Sequence, residues 1–271
     1  VTGVQTCALP IWSGEGEFVF ACRAAEGWDI MGNANGGYLL AIVGRAMSEA
    51  TGRPHCISIT AHYLSPAPAT TGRVEVTVVR KGRRFATATA RLILEVDGRD
   101  RETLRALATL GDVSVGSPPD DDFLLDTRPD VAEFDECGRG APEGEEIGLH
   151  RRLATRFDPR DTGFRTGQKS GDARIRGWFA FADDRPVDAL ALLLACDAFP
   201  PAVFHLDVPP GWVPTVELTF HLRGLPSLGP VACSFRTRFV QGGMLEEDGE
   251  MWDSSGRLVG MSRQLALAPK G

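Results

Sequence analysis

The sequence has no excess of basic residues and no long apolar run. Its 29 lysines and arginines stand against 36 aspartates and glutamates, which leaves a net charge of −7 and a pI near 5.3. Nucleic acids and anionic membranes bind proteins that present a basic field, so neither is expected as a partner. The longest apolar run, around residues 190–196, is far shorter than the roughly 20 residues that span a bilayer. The composition therefore favours a small molecule or a protein as the partner, and no membrane segment.

Closely spaced cysteines are also missing. The six cysteines stand at positions 7, 22, 56, 137, 196 and 233, and no two form a Cys-x-x-Cys pair of the kind that holds zinc. The sequence shows neither a glycine-rich phosphate loop nor a serine elbow with a nearby histidine. We therefore predict no metal and no cofactor. Most cysteines are interpreted as small core residues of a protein in a reducing compartment, the cytoplasm.

The first residues differ in kind from the rest of the chain. Residues 1–11, VTGVQTCALPI, resemble an in-frame translation of a short-read sequencing adapter. They lack the basic start and apolar core of a signal peptide. We predict that residues 1–12 are an adapter-derived, non-native segment and that the natural N-terminus is missing.

The remaining chain alternates apolar helices with runs of strand character. Residues 37–50 and 187–199 are apolar around most of a helical circumference, so each is predicted to be a helix wrapped by a sheet. Shorter strands are predicted at 18–23, 149–157 and 174–181. Each helix is followed by four strand-like runs separated by glycine, proline and aspartate turns. These runs are residues 56–64, 74–81, 85–96 and 101–110, and then 215–222, 231–240, 246–253 and 258–267.

The order of elements repeats, and short strings repeat with it. Thr60-Ala61-His62 matches Thr219-Phe220-His221 at an offset of 159, and Asp97-Gly98-Arg99 matches Ser255-Gly256-Arg257 at an offset of 158. Two matches at nearly one offset indicate a duplication. We predict an α+β fold in which each repeat wraps an antiparallel sheet around a central apolar helix. The repeats are placed at 13–114 and 147–271, joined by an exposed, acidic, Pro/Gly-rich linker at 115–146.

Four motifs resemble those of the acyl-CoA thioesterase II (TesB-like) family, in the double-hotdog thioesterase superfamily. They are Asn35-Gly36-Gly37 opening the first helix, Cys196-Asp197-Ala198-Phe199-Pro200 closing the second, Thr215-Val216-Glu217, and the hairpin of residues 253–264. The resemblance covers roughly residues 16–268 and implies a double-hotdog fold. It also implies a small-molecule acyl-CoA substrate, hydrolysed by direct water attack without a metal or covalent intermediate.

The resemblance further implies that an acidic residue, a hydroxyl residue and a glutamine of the second repeat activate the water. The glutamine falls on Gln264, the acidic residue on Glu217, where the family has aspartate in a Thr-x-Asp pattern, and the hydroxyl on Thr237. Glu217 is expected to share a strand face with Thr215. Asp197 is a further catalytic candidate, because the helix dipole disfavours an anion at the C-terminal end of a helix. Asp197 is either buried and functional or an exposed residue at a frayed helix end.

The start of the first helix is the candidate substrate-binding element. Asn33, Asn35, Gly36 and Gly37 are predicted to place free backbone amides against the thioester carbonyl. Tyr38 stands where the family usually has glutamine and is included in this set. The alternative for Asn35 is a plain helix N-cap followed by flexible glycines.

The repeats differ where chemistry is expected, since Ser58 and Ala106 stand in the first repeat at the positions of Glu217 and Gln264. We therefore predict one active site per chain, with polar side chains from the second repeat and amides from the first. Two alternatives to hydrolysis are a non-catalytic acyl-CoA-binding protein and a hotdog enoyl-CoA hydratase, although Asp29 with Asn33 does not reproduce the hydratase motif. A homo-oligomer is a further possibility.

Overall fold

The fold was analysed in a computed structural model, which describes residues 10–113, 124–139, 147–209 and 211–270. The elements of the N-terminal half are β1 (Trp12–Ser13), β2 (Glu17–Arg23), β3 (Asp29–Ile30), β4 (Asn33–Ala34), α1 (Gly36–Thr51), β5 (His55–Tyr63), β6 (Thr71–Lys81), β7 (Ala86–Val96) and β8 (Arg99–Gly111).

The C-terminal half follows with comparable elements. They are β9 (Gly138–Arg139), α2 (Gly148–Arg152), β10 (Arg156–Phe157), β11 (Arg174–Phe179), α3 (Ala189–Ala195), β12 (Thr215–Leu222), β13 (Val231–Arg236), β14 (Val240–Gln241), β15 (Met244–Trp252) and β16 (Leu258–Leu267). Short 3-10 turns lie at Pro159–Asp161, Gly163–Thr166 and Ala202–His205.

A large antiparallel sheet runs through both halves. Its strand order is β1-β2-β6-β7-β8-β5-β12-β16-β15-β13-β11-β10-β9, with β14 paired to β15, while β3 and β4 pair only with each other. The halves join through β5 and β12, where Thr60 and Thr219 stand opposite each other and their hydroxyls lie 2.8 Å apart. The strand order on one side of this junction mirrors the order on the other.

Helix α1 is almost wholly buried against the sheet and against α3. Asn35 caps it through its side-chain oxygen, which accepts a hydrogen bond from Tyr38 N at 2.9 Å, and Gly52 ends it in the left-handed conformation. Helices α1 and α3 approach closely, because a Cβ on Gly37 would lie 2.8 Å from both Leu193 O and Leu194 O. The start of α1 therefore lies beside the end of α3.

The second helix, predicted over residues 187–199, is shorter in the structure, where α3 spans Ala189–Ala195. Asp188 caps α3 by accepting from Ala191 N, and the helix ends at Ala195. The following residues leave the helix where Asp197 turns toward the start of α1. The prediction of a strand over 149–157 is wrong for its first part, since α2 occupies Gly148–Arg152 and only Arg156–Phe157 pair in a sheet.

The described residues also bear on the predictions for the cysteines, for membrane segments and for the linker. The five cysteines in the described part of the chain are buried thiols. No described helix is long and apolar enough to cross a membrane. Of the predicted linker, residues 114–123 and 140–146 lie outside the described residues. The part at 124–139 is not uniformly exposed, because Val131 and Cys137 are buried against Trp178.

The predicted non-native segment is described only from residue 10 onward. There Trp12 pairs with Val19 across β1 and β2. Its assignment as non-native stays a prediction, and so do the boundaries at 13–114 and 147–271.

Candidate functional site

A cavity of about 780 Å³ lies where the start of α1, the segment after α3 and the inner faces of β12, β15 and β16 meet. Its volume falls in the range of small-molecule sites, which span about 300–1,000 Å³. Most of the lining is apolar, and it includes Leu39, Phe199, Phe204, Trp212 and Phe235. The polar lining side chains include Asn33, Asn35, Asp197, Thr215, Glu247 and Gln264.

Asp197 connects the two halves at this cavity. Its Oδ2 accepts hydrogen bonds from Gly37 N and Asn35 Nδ2, each at 2.9 Å. The Asp197 carbonyl accepts a second bond from Asn35 Nδ2 at 2.7 Å. The carboxylate is therefore held at the N-terminal end of α1, where the helix dipole favours an anion. Its place at the C-terminal end of α3 would disfavour an anion, but the N-terminal end of α1 lies at the same point and favours one.

The electrostatics of Asp197 follow from two opposing effects. Burial raises the pKa of this carboxyl, while the amides of Gly37 and Gly36 and the side chain of Asn35 lower it, with a result of about 6. The group is therefore largely ionised at neutral pH and has a pKa suited to accepting a proton from water.

A second group of polar side chains lines the same cavity as Asp197. Gln264 Oε1 accepts a hydrogen bond from Thr215 Oγ1 at 3.1 Å, and Gln264 Nε2 donates to Glu247 Oε1 at 3.1 Å. Glu247 Oε2 accepts from Ala202 N at 2.6 Å. Burial raises the pKa of Glu247 to about 7, and the nearby charge of Asp197 contributes to this rise.

Strand alternation places Gln264 on the inner face. Gly260, Ser262, Gln264 and Ala266 are buried, whereas Met261, Arg263, Leu265 and Leu267 are exposed. Alternation in the sequence groups these residues on one strand face, but by itself it favours a solvent-facing amide for Gln264. The structure adds a reason for its burial, since both ends of the amide have partners.

Glu217 lies on the other face of the sheet from Gln264. A β-bulge at Val216 shifts the register, so Thr215 pairs with Ala266 whereas Glu217 pairs with Leu265. The prediction that Glu217 shares a face with Thr215 is therefore wrong. The Glu217 carboxylate accepts instead from Thr219 Oγ1 at 2.5 Å and is not part of the cavity lining.

Thr237 lies near the site but behind it. Its hydroxyl is buried without a hydrogen bond of ordinary geometry among the described residues, yet it is close enough to Glu247 to lower the pKa of that carboxyl. Thr237 is not among the residues that line the cavity. The structure thus places Thr237 beside Glu247 and outside the cavity lining.

The predicted binding residues divide between the cavity and the core. Asn33, Asn35 and Gly36 line the cavity. The Gly37 amide is not free for a carbonyl, because it donates to Asp197. Tyr38 is fully buried, stacks on Trp28 with ring centres 5.0 Å apart and accepts a hydrogen bond from Ala25 N. Tyr38 is therefore a core residue in this structure.

Two site residues, Thr215 and Glu247, are absent from the predicted set. A signal for Glu247 is present in the sequence, because it alternates with Leu245, Gly249 and Met251 on the buried face of β15. A carboxylate on an apolar strand face costs free energy unless it has partners or a function. No comparable signal marks Thr215, whose orientation depends on the bulge that follows it. No cluster able to hold a metal occurs among the residues described.

The raised pKa of Glu247 predicts a pH dependence of stability. A carboxyl with a folded pKa of about 7 and an ordinary value of 4.5 binds more protons in the folded state between those values. Its contribution to stability is therefore full below the ordinary pKa and is lost as the pH rises through about 7. Between pH 5 and pH 8 this amounts to about 2 kcal/mol.

Chemical denaturation at the two pH values checks this prediction. The unfolding free energy of Glu247→Gln, measured relative to the wild type, should be higher at pH 8 than at pH 5. Glu246→Gln is the matched control, because Glu246 pairs with Leu265 on the outer face of the same strand and is not buried. Equal differences for the two variants would contradict the burial of an ionising group at position 247.

Comparisons with known proteins cover both halves of the chain. Residues 24–111 match the acyl-CoA thioesterase N-terminal domain family, and residues 127–268 match the acyl-CoA thioesterase C-terminal domain family. An uncharacterized protein of Mycobacterium tuberculosis is 30% identical over 92% of both chains.

Solved structures show the same fold. A structure described as a putative thioesterase II from Thermobifida fusca superposes with a TM-score of 0.84 at 27% identity, covering 98% of this chain and 96% of the other. A hot dog fold protein of unknown function from Alicyclobacillus acidocaldarius gives 0.77 at 22% identity, with 96% of each chain covered. The chain thus has a hotdog fold, and the resemblance drawn from the sequence motifs is confirmed.

Proposed function

Since this chain belongs to the acyl-CoA thioesterase family, we propose that it is a double-hotdog enzyme that hydrolyses an acyl-CoA thioester to a free acid and CoA by direct attack of water. The observation that carries this proposal is one cavity lined both by Asp197 and by the hydrogen-bonded pair of Thr215 and Gln264. A carboxylate base, an acceptor and an amide donor around one apolar cavity are the groups that thioester hydrolysis needs.

Asp197 is proposed as the general base. A water molecule between Asp197 and Thr215 gives a proton to the Asp197 carboxylate while its oxygen attacks the thioester carbonyl carbon. The carbonyl becomes a tetrahedral oxyanion, which collapses with cleavage of the carbon–sulfur bond. The departing thiolate takes the proton from Asp197, so that the base is restored and free acid and CoA are released.

Thr215 and Gln264 are proposed to position the water and the oxyanion. The Thr215 hydroxyl donates to Gln264 Oε1, so only its lone pairs are left to accept a hydrogen bond from water. Gln264 Nε2 has two hydrogens, of which one goes to Glu247. The second is assigned to the thioester oxygen, where it stabilises the negative charge that develops in the transition state.

In this proposal the N-terminal half orients the Asp197 carboxylate and does not provide an oxyanion hole of free backbone amides. The Gly37 amide and the Asn35 side chain fix the Asp197 carboxylate. Asn33, Asn35 and Gly36 remain proposed substrate contacts because they line the cavity. The apolar lining that includes Leu39 and Phe199 is proposed to hold the acyl chain.

Release of CoA from a panel of acyl-CoAs of increasing chain length tests this function. We expect the wild type to release CoA, and Gln264→Ala to lower kcat/KM by about 10²-fold, the loss typical of removing one oxyanion donor. Gln241→Ala is the matched control, because Gln241 is exposed on β14 and should be indistinguishable from the wild type.

The remaining outcomes separate the alternatives. Equal rates for the wild type and Gln264→Ala would remove Gln264 from the mechanism. Tight binding of acyl-CoA without CoA release would select a non-catalytic binding protein. Loss of absorbance with crotonyl-CoA in place of CoA release would select a hydratase.

A further inference from the structure

Glu247 is a buried carboxylate that the proposed hydrolysis does not use. It lines the same cavity as Asp197, and only 5% of its surface is exposed. No cation forms an ion pair with it among the described residues, so its charge is held by hydrogen bonds alone. Such a group is costly to bury, which points to a role in the site rather than a role in stability.

The contacts of Glu247 have a defined direction. A carboxylate only accepts hydrogen bonds, so Gln264 must present its NH₂ group to Glu247 Oε1 and its oxygen to Thr215. Thr215 must then donate to Gln264. Every hydrogen in the chain from Thr215 through Gln264 therefore points toward Glu247. Hydrogen bonds that share one direction polarise each other, so an anion at the end strengthens the chain.

We propose that Glu247 is a positioning residue that sets the direction of the Thr215–Gln264–Glu247 hydrogen-bond chain and thereby turns the lone pairs of Thr215 toward the attacking water. This inference rests on the proposed function, since it concerns the water of that reaction. Glu247 touches no reacting atom and acts through Gln264 and Thr215.

The backbone makes the direction sensitive to a single change. Ala202 N can only donate, and it lies 2.6 Å from Glu247 Oε2. In Glu247→Gln the oxygen of the new amide must face Ala202 N, so its NH₂ group faces Gln264. Gln264 must then rotate and present its NH₂ group to Thr215. The Thr215 hydroxyl then accepts from Gln264 with one of its two lone pairs and turns its hydrogen toward the cavity, where a donor faces the water in place of an acceptor.

Steady-state kinetics of three proteins test the proposal. Glu247→Gln should lower kcat by about 10- to 100-fold with KM changed by less than about 2-fold. Glu246→Gln, on the outer face of β15, should match the wild type. Wild-type kcat in Glu247→Gln would overturn the proposal.

The pH profile gives a further readout. The charged group that faces Glu247 is Asp197, and the polar groups are Ala202 N, the Gln264 amide and the Thr237 hydroxyl. The wild-type kcat should rise with pH through two ionisations, one with a pKa near 6 for Asp197 and one with a pKa near 7 for Glu247. Glu247→Gln should keep only the lower one. An unchanged profile would count against the proposal.

A measurement on the folded wild type does not depend on turnover. The side-chain amide resonances of Gln264, assigned by their loss in Gln264→Ala, should shift in NMR spectra with a midpoint near pH 7, the pKa of Glu247. They should be independent of pH in Glu247→Gln, and resonances that do not titrate in the wild type would overturn the inference. If the wild type released no CoA, the proposed function would fail, and the inference on Glu247 would be decided by these resonances alone.

Discussion

Asp197→Asn is expected to lower kcat by about 10³-fold, within the range that general bases contribute. Asparagine keeps the shape of the side chain and can still accept from Gly37 N, so the contact with α1 and the fold should persist. It cannot take a proton from water. The measurement is CoA release under saturating acyl-CoA, with thermal denaturation of the same preparations to show that the variant is folded.

The same chemical change at Glu217 is the matched comparison. Glu217→Gln alters a carboxylate on the outer face of β12, bonded to Thr219, and we expect its kcat to stay within about 2-fold of the wild type. Comparison of the kcat values of the two variants therefore shows which carboxylate is the general base. A large loss in Glu217→Gln together with an active Asp197→Asn would return the role to the residue that the sequence motif indicates.

Gly37→Ala is expected to destabilise the fold by about 3 kcal/mol, at the upper end of what an added methyl group costs in a packed core. A Cβ at this position would lie 2.8 Å from two carbonyl oxygens of α3 and 3.0 Å from Asp197 Cβ. Backbone atoms cannot move aside without separating α1 from α3. Equilibrium denaturation in urea measures the effect.

Gly138→Ala controls for the loss of glycine itself. A Cβ added to Gly138 would have no neighbouring atom within 4 Å, and the backbone conformation there is ordinary. The substitution should change the unfolding free energy by less than about 0.5 kcal/mol, as at a neutral surface position. Similar values for both variants would mean that the approach of the two helices at Gly37 is looser than the structure shows.

Local sequence patterns predict the structure correctly where the neighbouring residues in the chain determine the conformation. They predict helix α1 within one residue at each end, because its apolar periodicity and its capping asparagine are local signals. Alternation along β16 groups Gln264 with Ser262 and Ala266 on one face, as the structure has it. The same alternation does not show that this face is the buried one, because burial depends on what packs against the strand.

Tertiary structure decides the rest of the site. The bulge at Val216 moves Glu217 out of phase with Thr215, and a strict period of two cannot show such a shift. Asp197 acquires its partners from a helix start 160 residues away in sequence. Residues 148–152 form a short helix where a strand is predicted, and strand-like pairing begins only at the bridge between Leu153 and Phe181.

The junction between β5 and β12 has a consequence for how the two halves depend on each other. If the two halves were separated, β5 and β12 would each become an unpaired edge strand. Helices α1 and α3 would also lose their contact with each other. The first half would also leave the start of α1 without its anion, and the second would leave Asp197 without the amides that hold it. Neither half contains a working site or a protected sheet. Deletion of one half would therefore abolish the proposed hydrolysis and leave the other half with an exposed strand edge that can aggregate. The two halves must be retained together.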